Sequence, residues 1–246
     1  MAGQILTLSQ MVQNDYRLAD VFKKWTLNYC CGGNSSLDEA CAARGINQEA
    51  IMEDMALATQ GFRLPNTFPF NEWPFDFLID YISHVHHSYI KLTGVTLQRT
   101  LLQFVTGHKN KYPHLQLVEI SFNNLLTAVL SQTQRDEDFS FPYFKQIDAA
   151  YKQKAYEPGI ATKLKQSSAN MTNEDFRLME QLTKALREAT NDYLYSEHAC
   201  TNHQVIYHKL AEFESNLVQQ NYLKKHSLFP KAIQMEKELL RLYSSL

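Results

Sequence analysis

Ile206, Leu210, Phe213 and Leu217 lie on one helical stripe that runs without a break into Gln220 and Lys224. Intervals of four, three, four, three and four residues keep all six side chains on the face that meets other helices. An earlier stretch repeats the device: Val118, Phe122, Leu125 and Val129 lead at the same intervals to Gln132 and Asp136. Phe-Pro follows each stripe, at Phe141-Pro142 and Phe229-Pro230, and is expected to stop the pattern there. Polar groups inside a helical bundle raise the free energy unless they meet each other or a metal, so these two stripe ends are the first place to look for function.

The same periodicity predicts a helix over 75–91 with Phe75, Leu78, Ile82, Val85 and Tyr89 on its apolar face, continuing through Leu101 and Val105 to Gly107. Of its three histidines, periodicity points His86 inward sooner than His87. A second helix follows Pro113, residues 139–173 are mixed, and a third helix over about 173–195 carries Phe176, Met179, Leu182, Leu186 and Tyr193. The fourth begins near Thr201, and four such helices are the elements of a four-helix bundle. Ahead of them, residues 1–60 form a small unit of helix, thiol loop and helix. Leu18, Val21, Phe22 and Trp25 mark its first helix, Ser36 and Glu39 a capping box, and Asn47 a cap for the helix bearing Ile51, Met55 and Ala58. Residues 61–74, with three prolines and no helical period, are a linker to the bundle at 75–246. The expected fold is all-α.

Composition narrows the chemistry. In 246 residues, 44% hydrophobic content suffices for a real core, and a formal charge of -2 supplies no basic field for nucleic acid. With neither a secretory leader pattern nor an apolar run long enough to span a bilayer, no membrane partner is expected, and the cytoplasm is the expected location. Four cysteines are too few for a disulfide scaffold. Cys30 and Cys31, between Tyr29 and Gly32-Gly33, are expected to be accessible loop thiols that alkylate faster than Cys41 or Cys200, which are assigned to packing. His198, His203 and His208 are expected to face solvent. No H-E-x-x-H, phosphate loop, serine elbow or dinucleotide turn occurs, so those enzyme classes drop out and no catalytic residue is assigned.

With these residues in view the chain resembles the repair-of-iron-centres family, in which a small cysteine domain precedes a hemerythrin-like four-helix bundle. The carriers are Tyr29-Cys30-Cys31-Gly32-Gly33 with Leu37 and Ala40-Cys41, then Leu78-Ile79-Asp80-Tyr81-Ile82 leading to His86-His87. Phe141-Pro142-Tyr143 and Leu228-Phe229-Pro230-Lys231-Ala232-Ile233 complete them. The resemblance implies restoration of iron-sulfur clusters damaged by nitric oxide or oxidants, a non-haem di-iron centre held by histidines and two bridging glutamates, and a homodimer.

At the ligand positions the chain departs from that pattern. The family's His-x3-Glu-x4-Phe-Pro is replaced by Gln132-x3-Asp136 and Gln220-x3-Lys224, the third-helix histidine falls on Phe176, and His87 is the one position unchanged. A cation at 224 repels divalent iron. The expectation is therefore a degenerate member with no cofactor, acting through Cys30 and Cys31 or through a partner, either an iron-sulfur client or a stress-response protein. The alternative is a working non-haem iron protein using His87 and Asp136 with His84 or His86 as substitutes. For the vacated site the resemblance implies a buried Asp136–Lys224 pair, since two bridging positions must lie within reach of the same metals, closed into a network by Gln132, Gln220 and His87, with Phe176 filling volume.

Overall fold

The computed structural model describes residues 5–30, 33–60, 70–154, 159 and 173–244. Among these the fold is all-α, with a single isolated bridge between Thr7 and Ser36. The chain divides into two compact units, Met1–Asn66 with Tyr193–Ala211 and Thr67–Asp192 with Glu212–Leu246.

In the first unit, helices α1 (Leu8–Asn14), α2 (Leu18–Lys24), α3 (Leu37–Arg44) and α4 (Gln48–Thr59) surround a core of Leu8, Val12, Phe22, Leu27, Leu37 and Ile51. The capping box predicted at Ser36 and Glu39 is present, as is the Asn47 cap. Helix α1 was not predicted; its signal is a second capping box, Thr7 with Gln10, which satisfies two backbone donors reciprocally. Residues 193–211, given to the bundle by pattern alone, group with this unit because Val205 enters its core and Lys209 pairs with Asp20. His203, expected in solvent, is 4% exposed and packs edge-on against Tyr207. His208 does face outward, stacked on Tyr16.

The second unit holds the bundle. Helix α5 (Phe75–Tyr81) runs on into α6 (Val95–His108), and α7 (Leu115–Arg135) into α8 (Phe141–Gln153). Helix α9 (Asn173–Thr190) packs on α7. Helix α10 (Thr201–Leu223), whose residues from Glu212 onward belong here, runs on into α11 (Phe229–Ser244), which packs on α8. The third helix ends at Thr190, short of Tyr195, because Asn191, Asp192 and Tyr193 all take left-handed backbone angles. The region thought mixed is helical as far as Gln153. Of the aromatic linker, Phe70 and Trp73 pack on the bundle core, and Trp73 meets Phe77 and Tyr81 edge-on; Phe68 lies outside the described residues.

Phe-Pro does not end either stripe. Each helix continues through it by way of one widened, π-type turn just upstream, at Asp136–Ser140 and Lys224–Leu228. The Phe141 amide donates to the carbonyl of Asp136, and the Phe229 amide to that of Lys224, each five residues back instead of four. Proline has no N–H and its ring crowds the carbonyl four residues before it, so a widened turn next to it is where a helix absorbs the defect. Widened turns also occupy Ile82–His87 and Ile90–Gly94. Gly94 is buried there, and a Cβ would lie 2.5 Å from Leu126 Cδ1 and 3.1 Å from Phe213 Cε2, so a larger side chain would force its neighbours to shift.

Candidate functional site

Three of the widened turns converge on the positions singled out by the stripes. In proteins generally π-type turns recur at functional sites, so the convergence of these three is informative in itself. The turn at Ile82–His87 inverts the expected inside and outside of its helix: His86 and His87 are both 0% exposed, while Val85 is 43% exposed. The periodic reading took Val85 as core and preferred His86 over His87, because it assumed an unbroken 3.6-residue period.

At the centre, the Lys224 ammonium is fully buried and bonds the Asp136 carboxylate, itself 3% exposed. The predicted pair is therefore present. His87 lies beside it, its Nε2 3.8 Å from Asp136 Oδ2 and its Nδ1 donating to Glu137 Oε1 at 3.0 Å. Its ring stacks on Phe141 at 5.3 Å, and Lys91 holds the other oxygen of Glu137 at the surface. Burial, then the Lys224 charge, pushes the His87 imidazole down to about 3, although Asp136 opposes the shift. Burial also lowers His86, which the Asn216 bond opposes; His86 Nδ1 meets Asn216 Oδ1 at 3.3 Å, and its ring abuts Tyr81.

The expected closed network is not formed. Among the described residues Gln220 Oε1, His86 Nε2 and His87 Nε2 are buried without a hydrogen-bond partner, and Gln132, though buried, does not link them. Asp136 is taken up by Lys224, and His87 turns its donor toward Glu137, so the amides are left out. Phe176 fills volume as expected, edge-on to Phe229 with the Lys225 ammonium 5.9 Å above its ring. Glu137 and Asn216, which orient the two histidines, were missed; Glu137 adjoins Asp136 in sequence, and Asn216 lies one turn before Gln220.

These residues do not fit a di-iron centre. Two divalent ions need several anionic oxygens or neutral imidazoles, and here an ammonium occupies one position, a phenyl ring another, and amides two more. Among the described residues no three His, Cys, Asp or Glu side chains come together as a metal site. Of the substitute ligands, His84 is exposed and His86 is turned to Asn216.

Of the loop thiols, Cys30 is half-buried and Cys31 lies outside the described residues. Cys41 is buried, and burial raises its thiol pKa, in keeping with packing. Cys200, also assigned to packing, is instead half-buried like Cys30.

Residues 6–59 match the ScdA_N family, a domain of unknown function (DUF542). The iron-sulfur cluster repair protein ScdA of Staphylococcus haemolyticus (strain JCSC1435) is 23% identical over 219 residues, 87% of this chain and 91% of its own. The iron-sulfur cluster repair protein YtfE of Escherichia coli O8 (strain IAI1) is 25% identical over 236 residues, 95% of this chain and 99% of its own. Over most of its length this chain is similar to iron-sulfur cluster repair proteins. A third such protein, YtfE of Citrobacter koseri (strain ATCC BAA-895 / CDC 4225-83 / SGSC4696), is 25% identical over 229 residues, 92% of this chain and 96% of its own. Among the described residues no helix is long and apolar enough to cross a membrane.

The buried imidazoles make stability depend on pH in a defined direction. A histidine whose folded pKa is depressed from 6.5 to about 3 contributes fully above pH 6.5, and the contribution is lost as pH falls from there toward 3. Urea unfolding between pH 6.5 and 5 should therefore show stability falling by up to about 1.4 kcal/mol per pH unit for His87 alone. His87→Gln should flatten that slope by about one proton; an unchanged slope would mean that His87 ionises freely in the folded chain.

Proposed function

We propose that this chain serves iron-sulfur cluster repair without a di-iron centre of its own, acting through the thiols of its first unit and a protein partner. The carrying observation is the buried Lys224 ammonium bonded to Asp136, since these positions match the bridging glutamates of the family it resembles. An internal cation satisfies the carboxylate that a metal would otherwise need to satisfy. The relatives' names supply the setting, iron-sulfur cluster repair, and extend over almost the full chain. The bundle then persists as a hemerythrin-like frame, and the client is an iron-sulfur protein damaged by nitric oxide or oxidants in the cytoplasm. A homodimer belongs to the same proposal.

Protein purified anaerobically and reconstituted with ferrous iron should retain well under one iron per chain by elemental analysis, without near-ultraviolet bands of an oxo-bridged centre. A pair of tightly held irons would overturn the proposal.

A further inference from the structure

A chain of bonds in the first unit links two cysteines that lie far apart in sequence. Cys30 follows Tyr29, which is 4% exposed, and the Cys30 carbonyl accepts from the Gly33 amide at 3.5 Å. Gly33 must be glycine, because a Cβ there would lie 2.4 Å from the Tyr29 carbonyl oxygen. Its own carbonyl accepts from the Ser9 amide at 3.1 Å, and the Leu8 amide donates to Ser35, so the thiol loop is fastened to the start of α1. The Ser9 hydroxyl then meets the Thr201 hydroxyl at 2.8 Å. The residue before Thr201 is Cys200, whose carbonyl accepts from the His203 and Gln204 amides and so caps α10. Three hydrogen bonds and one peptide bond thus connect Cys30 to Cys200. Tyr29 feels both thiols: burial, then Asp20, raises its phenol pKa, and both Cys30 and Cys200 add to the shift.

We propose that Cys30 and Cys200 are a redox pair that closes to a disulfide when the chain meets a low-molecular-weight disulfide. The Cys30 thiolate attacks one sulfur of that oxidant, breaking its S–S bond, forming a mixed disulfide and releasing one small thiolate. The Cys200 thiolate then attacks the Cys30 sulfur and displaces the second small thiolate. Two electrons pass from the protein sulfurs to the oxidant, and the two protein protons end on the two released thiols. Position favours Cys200 for the second step, since it precedes the start of α10, where the helix dipole stabilises negative charge. Cys41 is held in the core and takes no part. The proposal deepens the thiol reading above and rests on it for its use in repair, though not for its chemistry.

Peptide mapping of the full-length protein decides the matter. Trypsin, cutting after Lys24, Arg44, Arg187 and Lys209, leaves Cys30, Cys31 and Cys41 in one peptide and Cys200 in another. After exposure to oxidised glutathione, peptides 25–44 and 188–209 should be found joined in the unaltered protein and in Cys31→Ser, and separate in Cys30→Ser and Cys200→Ser. Oxidation confined within peptide 25–44 of the unaltered protein overturns the pair, as does a joined peptide that survives Cys30→Ser. The decisive map is read on the unaltered protein, so a variant that folds poorly does not protect the proposal. Iron analysis of the same preparation reads the metal proposal separately, so the failure of one is not mistaken for the failure of the other.

Discussion

Lys224→Ala should destabilise the protein by about 3 kcal/mol, because it leaves the Asp136 carboxylate in the bundle with no cation to replace the one removed. The nearest alternative is His87, and its Nε2 is 3.8 Å away on an imidazole that burial holds neutral. The ion pair itself is a different quantity from the damage done by breaking it. Desolvating both groups offsets much of their attraction, so the double variant Asp136→Leu with Lys224→Met should come within about 1 kcal/mol of the starting protein or exceed it in stability. Urea unfolding of the two single variants and the double variant makes the comparison. A Lys224→Ala cost under about 1 kcal/mol would show that solvent reaches the carboxylate.

Rebuilding the family's donors should convert the chain into an iron binder: Gln132→His, Asp136→Glu, Phe176→His, Gln220→His and Lys224→Glu, with His87 kept. The backbone already brings positions 136 and 224 into contact, with His87 beside them. Two carboxylates so close repel when both are ionised, so the metal-free variant should melt lower than the starting protein and regain stability on adding ferrous iron. Bound iron should rise from well under one to nearly two per chain. A ferrous-independent melting temperature with no bound iron would mean that the rebuilt side chains do not converge.

Much of this was legible in the chain because both stripes encode burial by spacing alone. The stripes gave only the inward placement of Asp136 and Lys224; their pairing followed from the resemblance, which puts both at the positions of two bridging carboxylates, and the structure shows that bond. The inward turn of His87 and the exposure of Val85 were not legible from periodicity, since a widened turn leaves no periodic trace of its own. Phe-Pro was read as a stop because proline's missing donor is visible in sequence, whereas a hydrogen bond reaching back five residues is not. The unclosed network had a similar cause: Glu137 competes for His87 from a position that a stripe analysis assigns to the surface. The tie from Gly33 through Ser9 to Thr201, next to Cys200, was not legible because its members come from opposite ends of the chain.

The turns at Asp136–Ser140 and Lys224–Leu228 also explain why both stripes lose their rhythm where they do. A π-type turn holds one residue more than the α-helix around it, so the angular phase of the side chains slips by roughly 100° across it. Val118 to Asp136 and Ile206 to Lys224 are each in phase, whereas Phe141 and Phe229 return to the core on a rotated count. Each inserted residue is thus a phase correction that lets one helix carry two inward faces, and the charged pair sits at the joint. Deleting a single residue from either turn would remove that correction and swing everything beyond it, including the phenylalanine that closes the turn, out of register with the core.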